Sequence, residues 1–301
     1  MQNKGIYHLA AIFTSVVWGT TFISSKILLE AGLTPASIMI MRFIIAYIGL
    51  LPFWRGKLFA DTLRDELWMV VIGITGGSMY FLLENSALLY TQASNVAIII
   101  ASTPLLTTLA VHLISRQEKA NKWLYACSML SMAGVVLVVY NGEFVLKLNP
   151  IGDILTLGAA IMWVIYSIVI LRIERRYSTL MITRKIFFYG ILTLLPYFLY
   201  EPWPTDWQIY TQPVVVWNML FLGVIASLLC YWLWNIVLKK LGAIRSTNYL
   251  YLNPVVAMIT AYIVLDEQIN HLTIIGTALI LMGVYLLEKK KSAAEEDNET
   301  N

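Results

Sequence analysis

Long apolar runs follow one another through this chain, from near its first residue to about residue 288. A helix needs about 20 such residues to cross about 30 Å of hydrocarbon. Ten runs reach or approach that length: 7–28, 35–54, 67–89, 94–115, 123–141, 152–172, 181–200, 214–238, 246–265 and 272–288. Hydrophobic residues are 59% of the 301 and charged residues 13%, where a soluble domain has about 45–50% and about 25%. An aqueous globule cannot hide so much apolar surface. Period-2 alternation is absent, which argues against a β-barrel. The first run is too long for a cleavable signal, and no small-residue cleavage motif follows it. The expected fold is an all-α integral membrane protein with ten transmembrane helices.

The basic residues give an orientation. With ten spans and both termini cytoplasmic, the inner side holds Lys4; Arg55, Lys57 and Arg64; Arg116, Lys119 and Lys122; Arg172, Arg175, Arg176, Arg184 and Lys185; Lys239, Lys240 and Arg245; and Lys289, Lys290 and Lys291. That is 18 of the 21, against Lys147 alone outside, with Lys26 and Arg42 inside spans. A net charge of +3 with scattered basic groups excludes a nucleic-acid partner. Cys127 and Cys230, both in apolar runs, read as inert buried thiols rather than a disulfide framework.

The two halves echo each other. Trp18 answers to Trp163 at an offset of 145; Asn85 to Asn235, Ala93 to Ala243 and Pro104 to Pro254 at 150; Glu118 to Glu267 and Gly134 to Gly283 at 149. Five spans per half is an odd number, so the second half enters the membrane from the opposite side. The expected units are 7–141, 152–288 and a polar tail at 289–301 on the cytoplasmic side. Inverted repeats place a substrate site near the midplane between the halves.

At this point WGTTFISSK with Arg42 downstream, ALLYTQASNVAIIIASTPLL followed by Glu118, and NPVVAMITAYIVLDE followed by a glycine-containing last helix carry a resemblance. They resemble the two EamA repeats of the drug/metabolite transporter superfamily, over about residues 8–290. The resemblance implies a 5+5 inverted repeat, alternating access around a central cavity, and export or import of small metabolites. The second repeat has no clean partner for Arg42.

Ionisable groups inside spans face a bundle interior or a water-filled cavity. Lys26, Arg42 and Glu84 fall at overlapping depth in the outer half, where they can form a gate or ion-pair network, with Lys26 also free to snorkel. Gly73, Gly77, Tyr80 and Glu84 are spaced four, three and four apart, so a regular helix puts them on one face. Trp18 and Trp163 at mid-depth, with Tyr80, Asn85 and Asn235, are the candidate substrate-binding residues; helix packing is the alternative for each. Pro104 and Pro254 remove one backbone hydrogen bond each and are candidate hinges. Trp203, Trp207, Tyr200 and Tyr210 suit an interface belt. His8, His112 and His271 show no metal-ligand spacing, and no cofactor or metal is expected.

The expected function is a secondary transporter, an exporter of a small organic metabolite or drug across the inner membrane. Its partners are the substrate, the lipid bilayer and, as a candidate coupling ion, the proton; monomer and homodimer both stay open. The rival is an intramembrane enzyme acting on lipid or peptide, but HExxH, GxSxG, Walker and paired acidic motifs are absent.

Overall fold

The computed structural model describes residues 5–54, 56–87, 89–90, 96, 99–114, 122–140, 150–265 and 271–299. Ala93, Glu118, Lys119, Lys147 and Glu267, with much of the expected fourth span, lie outside them. The described residues are helical with short connections and contain no strand. In the first half, α1 is Gly5–Glu30, α2 Pro35–Leu50, α3 Leu63–Ala87, α4 Thr103–Ile114 and α5 Lys122–Tyr140. In the second, α6 is Pro150–Ile173 and α7 Thr179–Leu194, prolonged by a 3-10 turn Leu195–Leu199. Next comes α8, Pro213–Leu241. α9 runs as Ala243–Asn248, a 3-10 turn Tyr249–Tyr251 and Leu252–Leu265, and α10 is His271–Glu299.

Among the described residues, six stretches are long and apolar enough to cross a bilayer: Gly5–Glu30, Pro35–Phe53, Leu63–Ala87, Pro150–Ile173, Thr179–Leu199 and Pro213–Leu241. Only 33% to 50% of each is buried inside the protein. The rest of each apolar surface faces outward, as a helix in lipid requires. Thr103–Leu113, Lys122–Leu137 and Ile274–Leu287 are apolar but shorter.

Local chemistry sets the ends. Thr34 and Ser37 form a reciprocal capping box in front of α2, with Pro35 at the first helical position, where its missing N–H costs nothing. Thr62 caps α3 through the Asp65 N–H, and Ser178 caps α7 through the Met181 N–H. Gly32 and Gly242 turn the chain at φ +98° and +81°, where a side chain would be strained. Pro104 and Pro254 sit in the first turn of a helical stretch that follows a break: a turn at residues 101–102 and the 3-10 turn Tyr249–Tyr251.

The packing is unchanged when the two halves are exchanged. α1 lies against α8 and α9, and α6 against α3 and α4; α2 lies against α8, and α7 against α3; α2 meets α7, and α5 meets α10. Phe43 and Phe187, each eight residues past the start of its helix, touch with ring centroids 5.1 Å apart. α5 and α10 close on each other through Gly134, where a methyl would come within 2.5 Å of the Gly276 carbonyl, and Gly283, where it would collide with Ser131 Oγ.

A feature absent from the sequence reading is a wide turn in the third helix of each half. Ile74–Ser78 of α3 and Phe221–Leu229 of α8 are π-helical. Shifted by 150, residues 74–78 fall on 224–228. Such turns insert a residue and disturb the i→i+4 ladder, commonly at functional positions.

Candidate functional site

The wide turns organise the centre of the bundle. The Tyr231 hydroxyl donates to the Gly76 carbonyl at 2.7 Å, and Trp18 Nε1 donates to the Ala226 carbonyl at 2.9 Å. Gly76 and Ala226 are repeat-equivalent, 150 apart. Each lies inside its wide turn and is capped by an aromatic side chain of the opposite half.

Around these caps the rings form a continuous cluster. The Trp18 ring lies 5.4 Å from Trp163, 5.6 Å from Tyr231 and 5.1 Å from Trp234. Trp163 also meets Tyr80 and Tyr166, each at 5.1 Å. Edge-on and tilted contacts at these distances are the favourable aromatic geometries. Two charged side chains border the cluster. Arg42 is 4% exposed, donates through Nε to Ser227 Oγ at 2.8 Å, and lays its guanidinium 4.5 Å over the Phe81 ring. Glu84 is 7% exposed and accepts the Tyr80 hydroxyl at 2.9 Å. The two charges lie within electrostatic reach of each other, but among the described residues no direct ion pair joins them. Lys26 is exposed on α1 and joins neither. The three-charge network expected at overlapping depth is therefore reduced here to two neighbouring charges, each held by a neutral partner.

The other candidates divide. Asn235 is buried; it accepts from the Tyr166 hydroxyl and donates to Thr183 Oγ1 at 2.7 Å, which ties α6, α7 and α8 together. Asn85 is buried beside Glu84. The single stripe expected for Gly73, Gly77, Tyr80 and Glu84 is corrected. The wide turn re-phases α3, so Gly73 and Gly77 pack against Tyr189 and Gly190 of α7, whereas Tyr80 turns to Trp163 of α6. A cleft of about 240 Å³ opens elsewhere, between α3 and α7, lined by Ser78, Leu82, Thr193 and Tyr197 among others.

A second correction concerns Arg184 and Lys185. Expected at the cytoplasmic opening of the seventh span, they are 3% and 1% exposed within α7. The Glu66 carboxylate at the start of α3 accepts from Lys185 Nζ, the Tyr189 hydroxyl and the Ala60 N–H. Asp65 accepts from Tyr177 at 2.9 Å and pairs with Arg176 at 3.3 Å. Arg184 donates to the Leu58 carbonyl and stacks 4.6 Å over Trp54. Burial first, and the Asp65 carboxylate it serves, raise the Tyr177 pKa, so its hydroxyl stays a donor. This network ties one end of α3 to α7 and to the α6–α7 turn.

Sequence reasoning missed Ser227, Tyr231 and Trp234. Tyr231 and Trp234, three apart in the regular part of α8, share a face that helical spacing marks, whereas Ser227 lies inside the wide turn, where spacing is no guide.

Comparison with known proteins follows the same outline. The model of the EamA-like transporter family matches residues 5–140 and again 150–288. An "Uncharacterized transporter" of Archaeoglobus fulgidus is 28% identical over 288 residues, covering 94% of this chain and 98% of its own. A protein of Streptantibioticus cattleyicolor named "Probable terminal-alkyne amino-acid exporter" is 26% identical, covering 93% of both chains. A solved crystal structure matches with a TM-score of 0.74 at 18% identity, over 94% of this chain and 96% of that one, a likeness of fold alone. Two family matches that take up nearly all of the chain, on a helical bundle with six membrane-length apolar stretches among its described residues, establish that this multi-pass membrane protein belongs to the EamA-like transporter family.

Proposed function

We propose that this transporter is a secondary carrier that exports a small zwitterion with an apolar side chain, an α-amino acid in type, across the inner membrane. It works by alternating access between two inverted halves of five spans, with both termini cytoplasmic. The observation that carries the substrate class is the placement of Arg42 and Glu84, each buried and held by a neutral partner, beside an aromatic cluster. Buried charges in a membrane protein are retained where they serve a substrate or ion. Among the described residues, Arg42 spends only Nε on Ser227, and Glu84 only one oxygen on Tyr80. Their remaining hydrogen-bonding capacity suits a substrate carboxylate and ammonium, while the rings receive an apolar side chain. The named amino-acid exporter among the relatives agrees with this class. The rings are packed on one another in this conformation, so the substrate enters when the helix groups part. Neutral caps hold the two charges until then, which keeps them apart and available.

Uptake into proteoliposomes tests the reading. L-phenylalanine and L-leucine should move, whereas phenethylamine and phenylacetate, each lacking one charge, should not. Equal movement of the single-charge analogues, or no movement of either amino acid, overturns it. Topology is checked separately. Cysteines at Asn149 and Thr211 should react with an impermeant reagent from outside, and those at Lys119 and Lys240 should not; the reverse pattern contradicts the inverted arrangement.

A further inference from the structure

The two central tryptophans are repeat mates, yet their indole N–H groups differ. Trp18 Nε1 caps the Ala226 carbonyl. By the exchange of halves, Trp163 Nε1 should cap the equivalent Gly76 carbonyl. It does not: that carbonyl is taken by the Tyr231 hydroxyl. Trp163 Nε1 is instead fully buried with no hydrogen-bond partner among the described residues, on a residue 5% exposed. A buried donor left unmade costs about 1–3 kcal/mol, so the vacancy needs a reason.

The reason lies in one residue. The repeat mate of Tyr231 is Phe81, 150 positions earlier. Phe81 has no hydroxyl, so in α8 the Ala226 carbonyl falls to Trp18. In α3 the Gly76 carbonyl already has Tyr231, and Trp163 is released. Its ring lies between Trp18 and Tyr80, the tyrosine that holds Glu84.

We infer that Trp163, and not Trp18, donates a hydrogen bond to an oxygen of the substrate, and that Tyr231 is the positioning residue that keeps this donor free. Trp18 is the structural cap of the pair. The ligand chemistry is an acceptor-bearing small molecule, a carboxylate oxygen in the zwitterion reading, on which the choice of probe rests. One hydroxyl present in one half and missing from the other thus turns two equivalent tryptophans into a strut and a reader.

The test uses full-length protein in nanodiscs with ¹⁵N-labelled tryptophan. The Trp163 indole resonance is identified by its absence from Trp163→Phe or, where that variant does not fold, from Trp163→Tyr. Without ligand, Tyr231→Phe should move the Trp163 N–H resonance downfield as it swings onto the vacated Gly76 carbonyl. In the wild type, L-phenylalanine should move it downfield as well. Trp163→Phe and Tyr231→Phe should each weaken L-phenylalanine binding about tenfold, and the double variant should be no weaker than either alone. A Trp163 resonance unmoved by both changes, or full binding by Trp163→Phe, overturns the inference. If Tyr231→Phe moves the resonance but the wild type binds neither L-phenylalanine nor L-leucine, the zwitterion reading falls, and the division between the two tryptophans stands.

Discussion

The third helices of the two halves share a backbone plan and differ in chemistry. Both carry a wide turn in the same register, and both have the carbonyl at its centre capped by an aromatic donor. The side chains at matching places diverge. At an offset of 150, Glu84 of α3 matches Trp234 of α8, Tyr80 matches Cys230, and Phe81 matches Tyr231. At the start of the helices the divergence is greater: Asp65 and Glu66 anchor a polar network, where their counterparts are Val215 and Val216. Backbone geometry is thus duplicated, while acidic side chains are confined to one copy. In the proposed alternating-access cycle, duplication would supply two matched units and asymmetry a site with one orientation.

The largest effect expected from breaking this comparison is at the charged end. Glu66→Ala leaves Lys185, whose side chain is 2% exposed, without its carboxylate. Removing one partner of a buried pair costs about 3–5 kcal/mol, which should appear as a large drop in thermal midpoint in detergent. Adding Lys185→Met should recover most of it. Val216→Ala at the matching position is 39% exposed to begin with and should change the midpoint little.

A middle-sized effect tests the shared plan. Gly134→Ala and Gly283→Ala both push a methyl into the α5–α10 contact. Each should destabilise by about 1–3 kcal/mol, and the two should be similar. A neutral result at one of them alone would show that the contact is not symmetric.

The smallest effect separates the tryptophans. Trp18→Phe strands the Ala226 carbonyl, whereas Trp163→Phe strands nothing in this conformation. Both lose ring area, but Trp18→Phe should cost about 1 kcal/mol more, measurable by parallel thermal or denaturant melts.

Much of this was legible in the sequence, for physical reasons. Apolar length marks membrane helices, because lipid leaves few other ways to satisfy a backbone. The repeat shows through residues that cannot be exchanged cheaply, such as Gly134 and Gly283 at a close contact, and Trp18 and Trp163 in the central cluster. Arg42 and Glu84 were recognisable as costly residues in apolar runs. The wide turns were not legible: inserting one residue into a helix leaves no mark on an apolar sequence, and it re-phased the Gly73–Glu84 stripe. The burial of Lys185 was not legible, because a basic residue at the opening of a span shows no partner in sequence until Glu66 is brought from 119 residues away. The capping of Gly76 and Ala226 depends on which rings meet across the halves, which spacing alone does not encode.

The central claim is that Glu84 holds substrate charge rather than carrying a proton. Counterflow exchange of labelled L-phenylalanine in proteoliposomes, with no proton gradient imposed, tests it directly by comparing wild type with Glu84→Gln. A residue that binds the substrate ammonium is needed in every exchange cycle, so the account predicts that counterflow falls by about tenfold or more. A residue needed only for proton coupling would leave exchange intact, and wild-type counterflow by Glu84→Gln would contradict the account.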